Sequence, residues 1–269
     1  MFFGWLPDIP DIRDYTKDHP DIAPLLKSPK TMPSRVDLRP FCPPIVDQGR
    51  LGSCTANAAA GLIGYYHNAM GNFSPLSRLF TYKTTRNLME SDGDTGAYIR
   101  TTMGSLALFG MPPEQFWQYD ITKFDDEPPA FCYSFASNFQ ALKYFRIDAE
   151  GLSNAQILRD AKSALSQKLP LMFGFTVYES INNSSDGKIP FPKPKEKTVG
   201  GHAVCAVGYD DKMKVGDCVG AFIIRNSWGE GWGEHGYGYL PYEYLLQGIA
   251  LDWWCLLKAE WIDISQFGI

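Results

Sequence analysis

The sequence predicts an α+β fold of two lobes, on three observations. Apolar residues recur at helical spacing in the first half of the chain. Alternating or continuous apolar runs dominate the second half, and Gly or Pro stands at the joins. Helices followed by strands, rather than alternating with them, is the α+β pattern. With 269 residues, 45% of them hydrophobic and 20% charged, the chain is long enough to bury a sizeable core.

Residues 1–31 are rich in Pro and Asp, as in Asp8-Ile9-Pro10-Asp11-Ile12-Arg13-Asp14-Tyr15, and cannot pack a core alone. They form an N-terminal extension with two readings. One is a loosely attached tail. The other is a strap, anchored by Trp5, Ile9, Ile12 and Tyr15, that lies in or near a cleft as a short propeptide-like inhibitor. From Met32 the composition changes, and Pro43-Pro44 leads into a loop holding Gln48, Gly49 and Gly52. Beyond Cys54, dense alanine and the apolar positions Ala58, Leu62 and Tyr65 predict a buried helix, with Ser53 as N-cap and Gly71 as stop. A second helix is expected from Tyr98 to about Leu108, ending at Gly110. A third runs from Asn154 to Gln167 behind Ser153, with Ile157, Leu158, Ala161 and Leu165 on one face. The period then shortens. Residues 171–178, 202–209, 221–225 and 236–240 read as strands, and the Pro/Lys-rich stretch 188–197 as a loop joining two of them.

A formal net charge of −5 argues against nucleic acid or an anionic membrane as the main partner. No apolar run approaches the roughly 20 residues of a membrane span. The N-terminus lacks the basic start and apolar core of a secretory signal, which leaves the compartment open. The six cysteines are widely spaced with no C-x-x-C pair, so neither a metal site nor a cofactor is expected. If Cys54 is a free nucleophile, the other five cannot all pair, and several reduced thiols follow. The acidic run Glu90-Ser91-Asp92-Gly93-Asp94 lacks the spacing of a calcium loop.

A thiol, an imidazole and an amide, in the order Cys54, His202 and Asn226, are the parts of a cysteine nucleophile machine. Placed at a helix N-terminus, Cys54 gains a dipole that favours its thiolate, and His202 supplies a partner for a thiolate–imidazolium pair. Asn226 suits the role of orienting the second imidazole nitrogen, and Trp228 could shield that bond from water. The Gln48 side chain and the Cys54 backbone N–H are candidate donors to the oxyanion of an acyl-transfer intermediate.

These motifs resemble the papain-like cysteine peptidases across roughly residues 32–262. Gln48 stands six positions before Cys54, Gly52-Ser53-Cys54 matches the family's G-S-C, and Gly201-His202-Ala203-Val204 resembles its histidine strand. Asn226-Ser227-Trp228-Gly229 with Gly231-Trp232-Gly233 resembles its asparagine motif. The resemblance implies a helical left lobe (about 45–145) and an antiparallel β-barrel right lobe (about 146–262 with 32–44), the cleft between them, and a C-terminal tail at 263–269. It implies a monomeric endopeptidase acting on peptides or proteins, with Cys54 as nucleophile, His202 as base and acid, Asn226 as orienter and Gln48 as oxyanion donor. Gly96-Ala97-Tyr98 resembles the segment that pairs with substrate backbone. Ile99, Phe175 and Gly200 are then expected near an apolar pocket for the substrate's second side chain, and Gly201 and Trp228 beside the substrate. Leu51 replaces a family cysteine and Thr55 a family tryptophan, and the long inhibitory helix pattern is missing, as in divergent, prokaryote-like members. A ligase or acyltransferase using the same triad, and a silent peptide-binding scaffold, are the competing functions.

Overall fold

The computed structural model describes residues 2–26, 29, 31–71, 74–138 and 141–259. In chain order the elements are β1 (Trp5–Leu6), β2 (Arg35–Asp37), α1 (Cys54–Ala69), α2 (Arg78–Leu88), β3 (Ala97–Tyr98), α3 (Ile99–Leu108), α4 (Ala130–Ala136), β4 (Ala141–Arg146) and α5 (Asn154–Ser166). Then follow β5 (Leu171–Tyr178), β6 (Thr198–Val215), β7 (Cys218–Arg225), β8 (Tyr237–Pro241), α6 (Glu243–Leu246) and β9 (Ala250–Ala259). The proposed tail at 263–269 lies outside the described residues.

Small residues bring α1 against the sheet. A Cβ on Gly61 would stand 2.9 Å from Arg225 Nε, and the Cys205 thiol on β6 donates to the Ala58 carbonyl at 2.9 Å. Ser53 takes the N-cap position of α1, but its hydroxyl does not cap the helix. It pairs instead with Tyr119 Oη at 2.5 Å and accepts from Asn57 Nδ2 at 3.0 Å. At α5 the capping expectation holds: Ser153 and Gln156 form a reciprocal capping box. Helix α2, which carries few apolar residues, gave no periodic signal. It is capped by Ser77, and the hydroxyls of Thr84 and Thr85 fold back onto the carbonyls of Phe80 and Thr81 at 2.9 and 2.7 Å, so these buried hydroxyls are satisfied.

The main sheet runs β4-β9-β5-β6-β7-β8, antiparallel throughout, with β2 added beside β6. The two-lobe α+β class is as expected, but the sheet is open, because β4 and β8 do not pair. Strand β9 was also unanticipated. Its run Trp253-Trp254-Cys255-Leu256 is buried and lacks alternation, which conceals a strand's period.

The N-terminal extension packs along the body. Its first residues cross the body between the two lobes, with β1 parallel to β3, and Ile22 is completely buried farther along. Ile9 and Ile12, expected anchors, are 81% and 96% exposed, and Tyr15 is nearly half exposed. Charges take their place. Arg100 pairs with Asp8 and Asp14, Arg146 donates to the Asp8 carbonyl at 2.9 Å, and Lys17 reaches Asp160 at 2.6 Å. Ile12 stands on a turn closed by the Asp14 N–H on the Asp11 carbonyl at 2.9 Å, which keeps it off the core.

Candidate active site

Cys54 is the first residue of α1 and His202 lies on β6, the strand that α1 packs against. Asn226 follows β7, the next strand of the sheet. His202 Nε2 and Asn226 Oδ1 are 2.8 Å apart. The Ser227 backbone N–H also donates to Asn226 Oδ1 at 2.8 Å, which fixes this atom as the acceptor. His202 Nε2 therefore carries the proton, and Nδ1 is left with a lone pair and no partner. Trp228 stacks on the His202 ring at 4.5 Å between centroids, and Phe175 meets that ring edge-on at 5.8 Å.

Gln48 is fully buried in the loop before α1. Its Oε1 accepts from Ser227 Oγ at 2.6 Å, and its Nε2 donates to the Leu51 carbonyl at 2.9 Å and the Phe2 carbonyl at 3.2 Å. The donor expected to serve an oxyanion is thus occupied by a carbonyl of the strap. The Gly52 N–H bonds the Asp94 carboxylate, which also accepts from Tyr82 Oη. Asp94, Ser227 and Tyr119, whose Oη donates to the Gln48 carbonyl at 2.9 Å, build this loop but were not singled out from sequence. Ser227 stood inside the asparagine motif; the other two are joined to the loop only by folding.

The strap uses the residues expected to bind substrate. Gly4 N–H donates to the Gly201 carbonyl at 3.0 Å, and Ala97 N–H donates to the Gly4 carbonyl at 2.7 Å. Gly96, at φ +74°, has no room for a side chain: a Cβ there would stand 2.3 Å from Gly4 O. Phe3 lies over Gly200 and edge-on to both His202 and Trp228. Tyr98 pairs with Leu6, and Ile99 is buried in the same apolar cluster as Trp5. Trp5 itself lies on Gly174 and Gly201, 4% exposed, and its indole N–H donates to Asp252 Oδ2 at 3.2 Å. Trp5 thus fills a space over Gly174 and Gly201 that ends on a carboxylate, a lone acid within the apolar run of β9.

Burial decides the charge state. With the strap in place Cys54 and His202 are fully buried, and desolvation pushes the thiol up to about 11 and the imidazole down to about 4. The Ala203 and Gly4 amides pull the thiol the other way, as does the Asn226 bond on the imidazole, but each is outweighed. Burial in this covered site thus works against the thiolate–imidazolium pair anticipated from the helix dipole. All six cysteines are free thiols, and among the described residues no group of His, Cys, Asp or Glu could hold a metal ion.

The family model for papain family cysteine proteases matches residues 32–249. A peptidase C1-like protein of Acanthamoeba polyphaga mimivirus is 37% identical, over 98% of this chain and 89% of its own. The cysteine protease xylellain from Xylella fastidiosa superposes with a TM-score of 0.78 at 33% identity, covering 97% of this chain and 96% of that one. Digestive procathepsin L 3 of Tenebrio molitor shares the fold, with a TM-score of 0.65 at 19% identity over 86% of this chain and 71% of that one.

Proposed function

The chain belongs to the papain family of cysteine proteases, and from that premise we propose a latent endopeptidase that works through a Cys54 thioester and is closed by its own N-terminal strap. The observation that carries this reading is the His202–Asn226 pair, proton on Nε2, beneath Trp228 and beside the start of α1. That tautomer leaves Nδ1 to take the Cys54 proton. The thiolate then attacks the peptide carbonyl carbon, and the carbonyl oxygen becomes an oxyanion held by Gln48 Nε2 and the Cys54 N–H. As the C–N bond breaks, the imidazolium returns its proton to the leaving amine. Water, deprotonated by the same imidazole, cleaves the thioester and restores the thiol.

Latency follows from the same geometry. The Phe2 carbonyl takes the Gln48 donor, Gly4 bridges Gly201 and Ala97, and the closed site keeps thiol and imidazole neutral. Moving the strap aside readmits water, lowers the thiol pKa, raises that of the imidazole and makes the ion pair accessible.

The test is labelling with an epoxide-type cysteine-peptidase probe followed by intact mass, on the full chain, Trp5→Ala and Cys54→Ala. The reading requires slow single labelling of the full chain, faster labelling of Trp5→Ala, and none of Cys54→Ala. An unlabelled Trp5→Ala chain that remains folded would overturn it. Hydrolysis products formed with and without an added amine separate a peptidase from a ligase.

A further inference from the structure

Asp252 is placed by a local defect in the sheet. On β5, Met172 pairs with Trp254 and Gly174 with Leu251, so β9 spends one residue more than β5 between these pairs. At this bulge Asp252 and Trp253 are both buried, and Asp252 adopts φ +64°, a left-handed conformation that side chains other than Asn and Asp seldom take. A strained backbone that buries a carboxylate calls for a functional reason. Asp252 Oδ1 is already used, accepting from Trp254 Nε1 at 2.8 Å and facing Arg146 Nη1 at 3.2 Å. Oδ2 points to the pocket, where the Trp5 indole N–H meets it. The flat floor is made by two absent side chains: a Cβ on Gly174 would stand 2.0 Å from the Trp5 ring, and one on Gly201 2.8 Å.

We propose that Asp252 makes this pocket select substrate side chains with a flat ring and an N–H at its far edge, so that the enzyme prefers tryptophan there over phenylalanine. The proposal rests on the peptidase reading and names its substrate class. The strap's Trp5 is the built-in example of the ligand, in register with Ala97, where substrate backbone is expected to pair. A phenylalanine would fill the floor but leave Oδ2 buried without a donor, and an unmade bond of that kind lowers binding by about ten- to a hundredfold. An arginine is disfavoured because Arg146 already faces the carboxyl. Burial also pushes Asp252 up to about 7, Arg146 pulling it the other way, and a neutral N–H can donate to either protonation form, whereas a cation needs the charged one.

The experiment uses full-length Trp5→Ala, which empties the pocket. Peptides identical except at the second residue before the cleaved bond carry Trp, Phe, Leu or Arg. The expected kcat/KM for Trp exceeds that for Phe by about ten- to a hundredfold. Adding Asp252→Asn, which suits the left-handed backbone but turns an N–H2 toward the indole, brings the ratio to within about threefold. Phe equal to Trp, Arg preferred, or a ratio unmoved by Asp252→Asn would each overturn the proposal. A second readout needs no catalysis and alters only the strap. In full-length Cys54→Ala, Trp5→Phe should raise hydrogen exchange of the Ala97 amide about tenfold or more, and Asp252→Asn should erase the difference between Trp5 and Phe at that position. Unchanged exchange refutes the pocket assignment. Absence of hydrolysis of every peptide, with the exchange effect intact, refutes the peptidase reading instead.

Discussion

Adding one methyl group to the body should open the enzyme. Gly174 lies within β5 with no left-handed φ, so Gly174→Ala suits its backbone, and alanine loses less chain entropy than glycine on folding. Its Cβ, however, would lie 2.0–2.3 Å from three atoms of the Trp5 ring, against the roughly 3.5–4 Å of ordinary carbon contact. The ring cannot yield by flexing, so it must lift by more than 1 Å by this geometry, roughly, which breaks the 3.2 Å bond to Asp252. A fully buried tryptophan covers about 150–250 Å², worth roughly 4–6 kcal/mol. Losing half of it, about 2–3 kcal/mol, raises the open fraction of the strap about thirty- to a hundred-and-fiftyfold. The assay is the rate at which iodoacetamide, too small to need the pocket, adds to Cys54, followed by intact mass. Labelling should accelerate by that factor while cooperative unfolding is retained, and hydrolysis of Trp-bearing peptides should lag behind it because the pocket is narrower. An unchanged labelling rate in a folded Gly174→Ala chain would refute the reasoning, since the strap would then not depend on Trp5.

Acid should loosen the strap. In Cys54→Ala, where no thiol can pass its proton to the imidazole, His202 is held at about 4 in the closed site against an ordinary 6.5, so below pH 6.5 the open form binds a proton that the closed form refuses. Closure then weakens by up to about tenfold per pH unit between 6.5 and 4, seen as rising Ala97 amide exchange after correction for intrinsic rates. Asp252, pushed up to about 7, titrates in the opposite sense, so the acid effect should be larger in Asp252→Asn. Gln48→Ala removes the side-chain oxyanion donor, and kcat measured in a strap-released background should fall about a hundred- to a thousandfold. Ser227→Ala, which only frees Gln48 Oε1, should cost about tenfold, mostly in kcat. Ile22→Ala should lower unfolding stability by about 2–4 kcal/mol, because its side chain is wholly buried, whereas deleting residues 2–6 should open the cleft and leave that anchor in place.

The residues of the candidate site could be picked out because each carries a local signature. Cys54 follows glycines at the head of an alanine-rich helix, His202 opens an apolar strand, and Asn226 closes another inside a Gly-rich motif. Helices α1, α3 and α5 and strands β5 to β8 were readable for a related reason: their period or their caps are written in adjacent residues. Helix α2 and strand β9 were not, since one buries hydroxyls and the other is apolar on both faces. Nor does sequence alone choose between a loose tail and a strap. Ile9 and Ile12 looked like anchors, but the chain is held by Arg100 and Arg146, about ninety and one hundred and forty positions away, and by Ile22. Charge state was equally a tertiary matter. The dipole of α1 favours a thiolate, yet burial of the folded site pushes the Cys54 thiol up and the His202 imidazole down. What the sequence by itself determined is the family, because its Gln48, Cys54, His202 and Asn226 motifs are written in residue type and near neighbours. What only the tertiary structure decided is how deeply these residues are buried and which side chains meet, because burial and the contact of Trp5 with Asp252 across 247 positions exist only once the chain is folded.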